Sequence, residues 1–150
     1  MPEHRSKPAA RQRLPHPALQ KLWLPADTCS GFLILCGRNN LQNDQLTLRE
    51  ARNYDLWLHT QKIHGAHVIV FTEGAREIPD RTVEEAAVIA ACNSSAGTGA
   101  AAGAKIPVDY TLVRNVKKPG GAKPGMVIYE TYQTAMVEPD RRRIEALREG

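Results

Sequence analysis

Arg38 is followed at once by Asn39, Asn40, Gln42, Asn43 and Asp44, and no apolar period runs through this stretch until Leu46. Amide and guanidinium groups present flat, paired donor and acceptor edges that suit bases, phosphates or a neighbouring backbone. A second group lies far along the chain. Lys117, Lys118 and Lys123, with Arg114 nearby, flank a turn of Pro119, Gly120, Gly121, Pro124 and Gly125, and no acid stands between Arg114 and Met126. Glycines bare backbone N–H groups and prolines stiffen the loop, which together make a phosphate contact. A third group is histidine-based. Trp57 and His59 fall on one face of an alternating stretch, and His67 follows Gly65-Ala66. Exposed, Trp57 and His59 would stack on bases or touch phosphate, while His67 either anchors the sheet or touches the ligand.

Each group has a plainer reading. The amides can tie down their own loop by Asx-type bonds. The lysines can be solvated residues of an ordinary hairpin turn, and Trp57 reads better as core than as a stacking platform. Catalysis finds less support. The GxxxxGK[ST] phosphate loop is absent, so nucleotide hydrolysis is not expected. His59, His64 and His67 are spread over a strand, a loop and a second strand without CxxC or HExxH, so no metal and no cofactor is expected. Asp44 and Asp55 lack a partnering nucleophile. The expectation is a binding protein and not an enzyme.

The blocks Gly37–Thr47, Asp55–His59, Gly65–Ile69 and Val116–Gly125, in that order, resemble the NFACT-R domain. This is the C-terminal RNA-binding module of the NFACT family, to which ribosome quality-control factors of the RqcH type, also known as fibronectin-binding proteins, belong. The resemblance covers about residues 30 to 139. The family tends to have an aromatic where Leu58 stands, proline where His64 stands and serine where Ala66 stands. The resemblance implies that RNA, meaning tRNA and large-subunit rRNA, is bound on a large ribosomal subunit that carries an obstructed nascent chain. It implies Arg38, Asn39, Asn40, Gln42, Asn43, Asp44, His59, His67, Lys117, Lys118 and Lys123 as the contacting residues. Alanine tailing in full-length relatives also needs the family's N-terminal domain, so this stretch alone is expected to bind without tailing. It is either part of a longer protein or a free-standing member. The competing reading is a protein-interaction module in which the polar motifs are structural; a nucleic-acid-binding role outside the ribosome is a further alternative.

These groups need a scaffold. With 150 residues and 42% apolar content the chain makes one domain with a real core, and eight aromatic residues make that core mainly aliphatic. Arg5, Lys7, Arg11, Arg13 and Lys21 against Glu3 account for the whole net charge of +4, so residues 22–150 are balanced. Residues 1–29 are therefore expected to be a basic, flexible linker, residues 30–139 the RNA-binding domain, and residues 140–150 a charged helix or tail. Gly31–Gly37, Asp55–His59 and His67–Phe71 read as strands. So do Val108–Val116, Met126–Thr131 and Thr134–Val137, with Lys117–Gly125 closing a long basic hairpin. Leu46–Arg52 reads as a helix with a Thr47/Glu50 capping box. Asp80–Asn93 reads as a second, with a Thr82/Glu85 box and an alanine face. Asn93–Lys105 is expected to be a flexible loop, and the acids between Glu73 and Glu85 a solvated face. The predicted class is α+β, a compact domain with a mixed or antiparallel sheet and two main helices. Cys29, Cys36 and Cys92 form no CxxC pair, which with the lack of a signal peptide or long apolar run points to the cytosol and away from membranes.

Overall fold

The apolar runs form one antiparallel sheet with both faces covered. A computed structural model of the chain describes residues 26–27, 32–72, 77–95, 97 and 103–147. The strands are β1 (Ala26–Asp27), β2 (Leu33–Cys36), β3 (Leu56–Thr60), β4 (Val68–Phe71), β5 (Ile106–Leu112) and β8 (Gln133–Val137), in spatial order β1-β2-β4-β3-β5-β8. A separate pair, β6 (Val116–Lys117) and β7 (Ile128–Tyr129), stands apart from the main sheet. The helices are α1 (Asn40–Asp44), which runs directly into a π-helical turn at Gln45–Glu50, then α2 (Asp80–Cys92) and α3 (Arg141–Leu147). The α+β class and the antiparallel sheet are as expected.

The two sheet faces have different jobs. Ile34, Cys36, Leu56, Leu58, Val68, Val70 and Val108 pack against the buried alanines of α2, whose small side chains let helix and sheet approach closely. On the other face Leu33, Leu35, Trp57, Ile69 and Phe71 pack under Leu46 of the π turn and under Val113 and Val116. Side chains alternate across a strand, so Leu56 and Leu58 serve the first face while Trp57 and His59 serve the second. The central strands are therefore apolar on both sides, and their near-continuous hydrophobicity follows. Asp55 closes the end of β3, where its carboxylate accepts from the N–H groups of Arg52 and Thr72 at 2.9 Å each.

Several local expectations change. The first helix begins at Asn40, not Leu46, because the Asn39 side chain caps it by accepting from the Gln42 N–H at 2.9 Å. Thr47 therefore sits inside the helical turn, and Glu50 accepts from the Gln45 side chain, so no Thr47/Glu50 box forms. The Thr82/Glu85 box is also absent. Pro79 occupies the cap, the Thr82 hydroxyl is buried without a partner, and Glu85 pairs with Arg81 at 3.4 Å. The long hairpin is broken by a 3₁₀ turn at Val113–Asn115, so β5 pairs with β3 and β8 and only the short β6–β7 ladder closes the basic loop. The acidic face is incomplete, since Glu85 is buried and Glu84 meets Arg143 at 3.1 Å; residues 73–76 lie outside the described residues.

The linker expectation falls largely outside the described residues too, apart from Ala26 and Asp27, which pair with Ile34 and Leu33. So does that for Cys29 and much of the Asn93–Lys105 loop. The helix α3 is packed, not loose: Arg141 donates to the Cys92 carbonyl at 3.1 Å and Ile144 meets the core. Among the described residues no helix is long and apolar enough to cross a membrane.

Candidate nucleic-acid interface

The polar segment from Arg38 starts where β2 ends and lies on the surface as a helix, not as a loop. Its side chains divide by what they do. Asn39 and Gln42 are used locally: Asn39 caps the helix and the Gln42 side-chain oxygen accepts from the Arg38 N–H at 2.9 Å. Asn43 is buried and clamps two segments, accepting from the His67 N–H at 3.1 Å and donating to the Gly65 carbonyl at 3.4 Å. Glycine is required at position 37, because a Cβ there would fall 2.2 Å from the Asn43 side-chain oxygen.

Asp44 joins this helix to the basic loop. One carboxylate oxygen accepts from the Gly125 N–H at 3.0 Å, and the other faces the Lys118 ammonium at 3.2 Å. Lys118 also donates to the carbonyls of Lys123 at 2.6 Å and Met126 at 3.2 Å. The lysine read as a phosphate contact is thus the keystone of its own loop, with its charge already opposed by Asp44. Arg38, Lys117 and Lys123 are exposed and make no side-chain ion pair among the described residues. The amide helix and the lysine loop therefore meet at one junction, with exposed cations at Arg38 on one segment and at Lys117 and Lys123 on the other.

Gly125 is where the two pieces touch. Its φ of +86° is the left-handed region, and an added Cβ would lie 2.6 Å from the Asn40 side-chain oxygen. Gly121 has φ +77° but open space around it. Gly121→Ala should cost only the backbone term of about 1 kcal/mol. Gly125→Ala should cost more, up to about 3 kcal/mol, and move the resonances of both Asn40 and the loop. Urea midpoints of the two variants check this; equal losses would mean that the loop does not seat on α1.

Beneath the junction lies a ring cluster. Trp57 is fully buried, with ring centroids 5.8 Å from His59, 5.4 Å from His67 and 4.7 Å from Tyr129. Asp109, buried beside it, accepts from the Tyr129 hydroxyl at 2.7 Å, Thr134 at 2.8 Å and Gln61 at 3.0 Å. Burial pushes the Tyr129 hydroxyl up, and its bond to Asp109 adds to the effect. Sequence reasoning singled out neither residue, since a tyrosine and an aspartate 20 positions apart carry no motif.

The histidines split. His59 is partly exposed, with its pKa lowered mainly by burial and held up in part by a hydrogen bond to the Gly65 backbone. His67 is buried and does not face solvent, a correction to its expected contact with RNA. Its Nδ1 lies 2.8 Å from the Thr47 hydroxyl, and its ring also bonds the Gly125 backbone, so it ties the sheet to the π turn and to the loop. Asn43 is corrected in the same way.

Burial lowers the His67 pKa to about 3, with the nearby His59 adding to the effect. A histidine depressed below its unfolded value near 6.5 favours the fold fully above that pH, and this contribution is lost as pH falls toward 3. Stability should fall in that window by up to about 1.4 kcal/mol per pH unit on account of this ring alone. By NMR the His67 ring should hold its neutral shifts down to pH 4; titration near 6 would contradict its burial.

The comparisons with known proteins agree with this architecture. The family described as "NFACT protein RNA binding domain" matches residues 22–131. This chain belongs to the NFACT-R family. The Rqc2 homolog RqcH of Bacillus subtilis (strain 168) is 44% identical over 124 residues, covering 83% of this chain and 20% of that protein. The Rqc2 homolog RqcH of Streptococcus pneumoniae serotype 2 is 36% identical over 118 residues, with 79% and 20% covered. The chain thus spans about a fifth of the length of these relatives. The C-terminal part of the fibronectin/fibrinogen-binding protein from Streptococcus suis superposes with a TM-score of 0.76 at 32% identity, over 85% of this chain and 49% of that one.

Proposed function

We propose that this NFACT-R domain binds the sugar-phosphate backbone of RNA at the junction of the Asn39-capped helix with the lysine loop. Arg38, Lys117 and Lys123 neutralise phosphates, with Arg114 extending the track. Asn40 and the loop N–H groups contact sugar or base edges, and Asp44 with Lys118 fixes the geometry. The observation that carries the reading is the Asp44–Lys118–Gly125 latch, because it brings two polar segments 81 residues apart into one surface. Phosphate contacts set register and orientation while base edges add specificity, and a preformed loop loses little entropy on binding.

The RNA we infer is tRNA and large-subunit rRNA on an obstructed large ribosomal subunit in the cytoplasm, as the RqcH relatives suggest. The domain would hold and position RNA without chemical turnover, leaving alanine tailing to the other parts of a full-length protein.

Fluorescence anisotropy with a labelled single-stranded RNA across 50–300 mM KCl tests this. Four phosphate-contacting cations should give a slope of log K against log salt near −3, with the RNA recovered intact with or without divalent metal. A flat profile would overturn the proposal.

A further inference from the structure

We propose that the cleft beside α1 receives one unstacked nucleotide of the bound RNA, its phosphate on Arg38 and its base edge on the amides of Asn39 and Asn93. This rests on the RNA-binding reading above and adds base discrimination to it. The cleft has a volume of about 410 Å³, within the range of small-ligand sites. Arg38, Asn39 and Asn40 line it from the start of α1, and His64, Asn93 and Ser95 from two distant segments. Among the described residues no acidic side chain lines it, so it suits an anion.

The lining segments are already pinned together. The Ser95 N–H donates to the His64 carbonyl at 3.1 Å, Gly65 bridges Ser94, and the Gly37 N–H donates to the His67 carbonyl at 3.0 Å. Asn43 holds the floor at Gly65. At Gly65 the backbone comes so close that a Cβ would lie 2.8 Å from the Thr60 hydroxyl. Such a cleft is built before a ligand arrives.

Its free polar edges are complementary. The Asn39 oxygen is spent on the helix cap, which leaves its amide N–H₂. One Asn93 N–H is spent on the Ile89 carbonyl at 2.8 Å, which leaves its oxygen free to accept. The cleft thus offers an amide donor from Asn39 and an amide oxygen acceptor from Asn93, the kinds of group that read a base by its Watson–Crick or Hoogsteen edge. Asn40 lines the cleft and also meets Gly125, so an RNA strand following the lysine loop passes its mouth. A duplex keeps its bases stacked, so only an unpaired nucleotide enters.

Titration of the ¹⁵N-labelled chain with the four nucleoside 5′-monophosphates, with inorganic phosphate and with a single-stranded RNA tests this. Amides of residues 38–40, 64–66 and 93–95 should shift saturably with at least one nucleotide, unequally among the four, and far less with phosphate. Asn93→Ala and, separately, His64→Ala should weaken that nucleotide about fivefold, the effect of one hydrogen bond. If nucleotides leave these amides unmoved while RNA shifts only residues 117–125, or if phosphate acts as strongly as nucleotide, the cleft holds no base and only phosphate binding stands. If RNA shifts neither region, the cleft proposal and the RNA-binding reading fall together.

Discussion

Trp57→Ala is expected to destabilise the domain by about 3–5 kcal/mol. The side chain is fully buried beneath the site and packs on His59, His67 and Tyr129. Among the described residues its indole N–H has no hydrogen-bond partner, so its removal costs packing and no polar bond. A small domain has about 5–15 kcal/mol in all, so the variant should lose much of its urea midpoint and its RNA affinity together. Trp57→Phe keeps a ring in the cavity and removes the unpartnered donor, and should cost less than half as much. A loss below about 1 kcal/mol for the alanine variant, with an unchanged denaturant slope, would mean that the face under the site is not a packed core.

Much of this was legible because strands and turns announce themselves. The β-branched and leucine runs gave β2 to β4, and the Gly/Pro-rich basic segment gave the loop between β6 and β7. The first helix was misplaced because the capping signal at Thr47/Glu50 competes with an earlier one at Asn39/Gln42, and the run of amides hid the helix start. Tertiary geometry then chose Asn39, since Thr47 is needed by His67. The two polar segments meet at the Asp44–Lys118–Gly125 contact, yet the roles of their residues could not be separated by type. An asparagine that caps, one that clamps and one that stays free read alike in sequence. Lys118 resembles Lys117 until the structure brings Asp44 to it. The part of the cleft lined by His64, Asn93 and Ser95 has no motif at all; it exists only because the loop after α2 bonds back to Gly65 and its neighbour.

The most direct measurement is the salt dependence of single-stranded RNA binding by the Arg38→Ala, Lys117→Ala, Lys123→Ala triple variant beside the wild type. These are uncommitted cations on both sides of the junction, so the fold should survive, as a wild-type urea midpoint would verify. Each phosphate contact contributes about 0.7 to the slope for a single strand. The triple variant should be shallower by about 2, which makes it about a hundredfold weaker at 0.1 M salt relative to binding extrapolated to 1 M. Lys118→Ala should change the slope less than Lys117→Ala, because Asp44 already opposes that charge, and should act by loosening the loop. A folded triple variant that keeps the wild-type slope would contradict RNA binding at this junction.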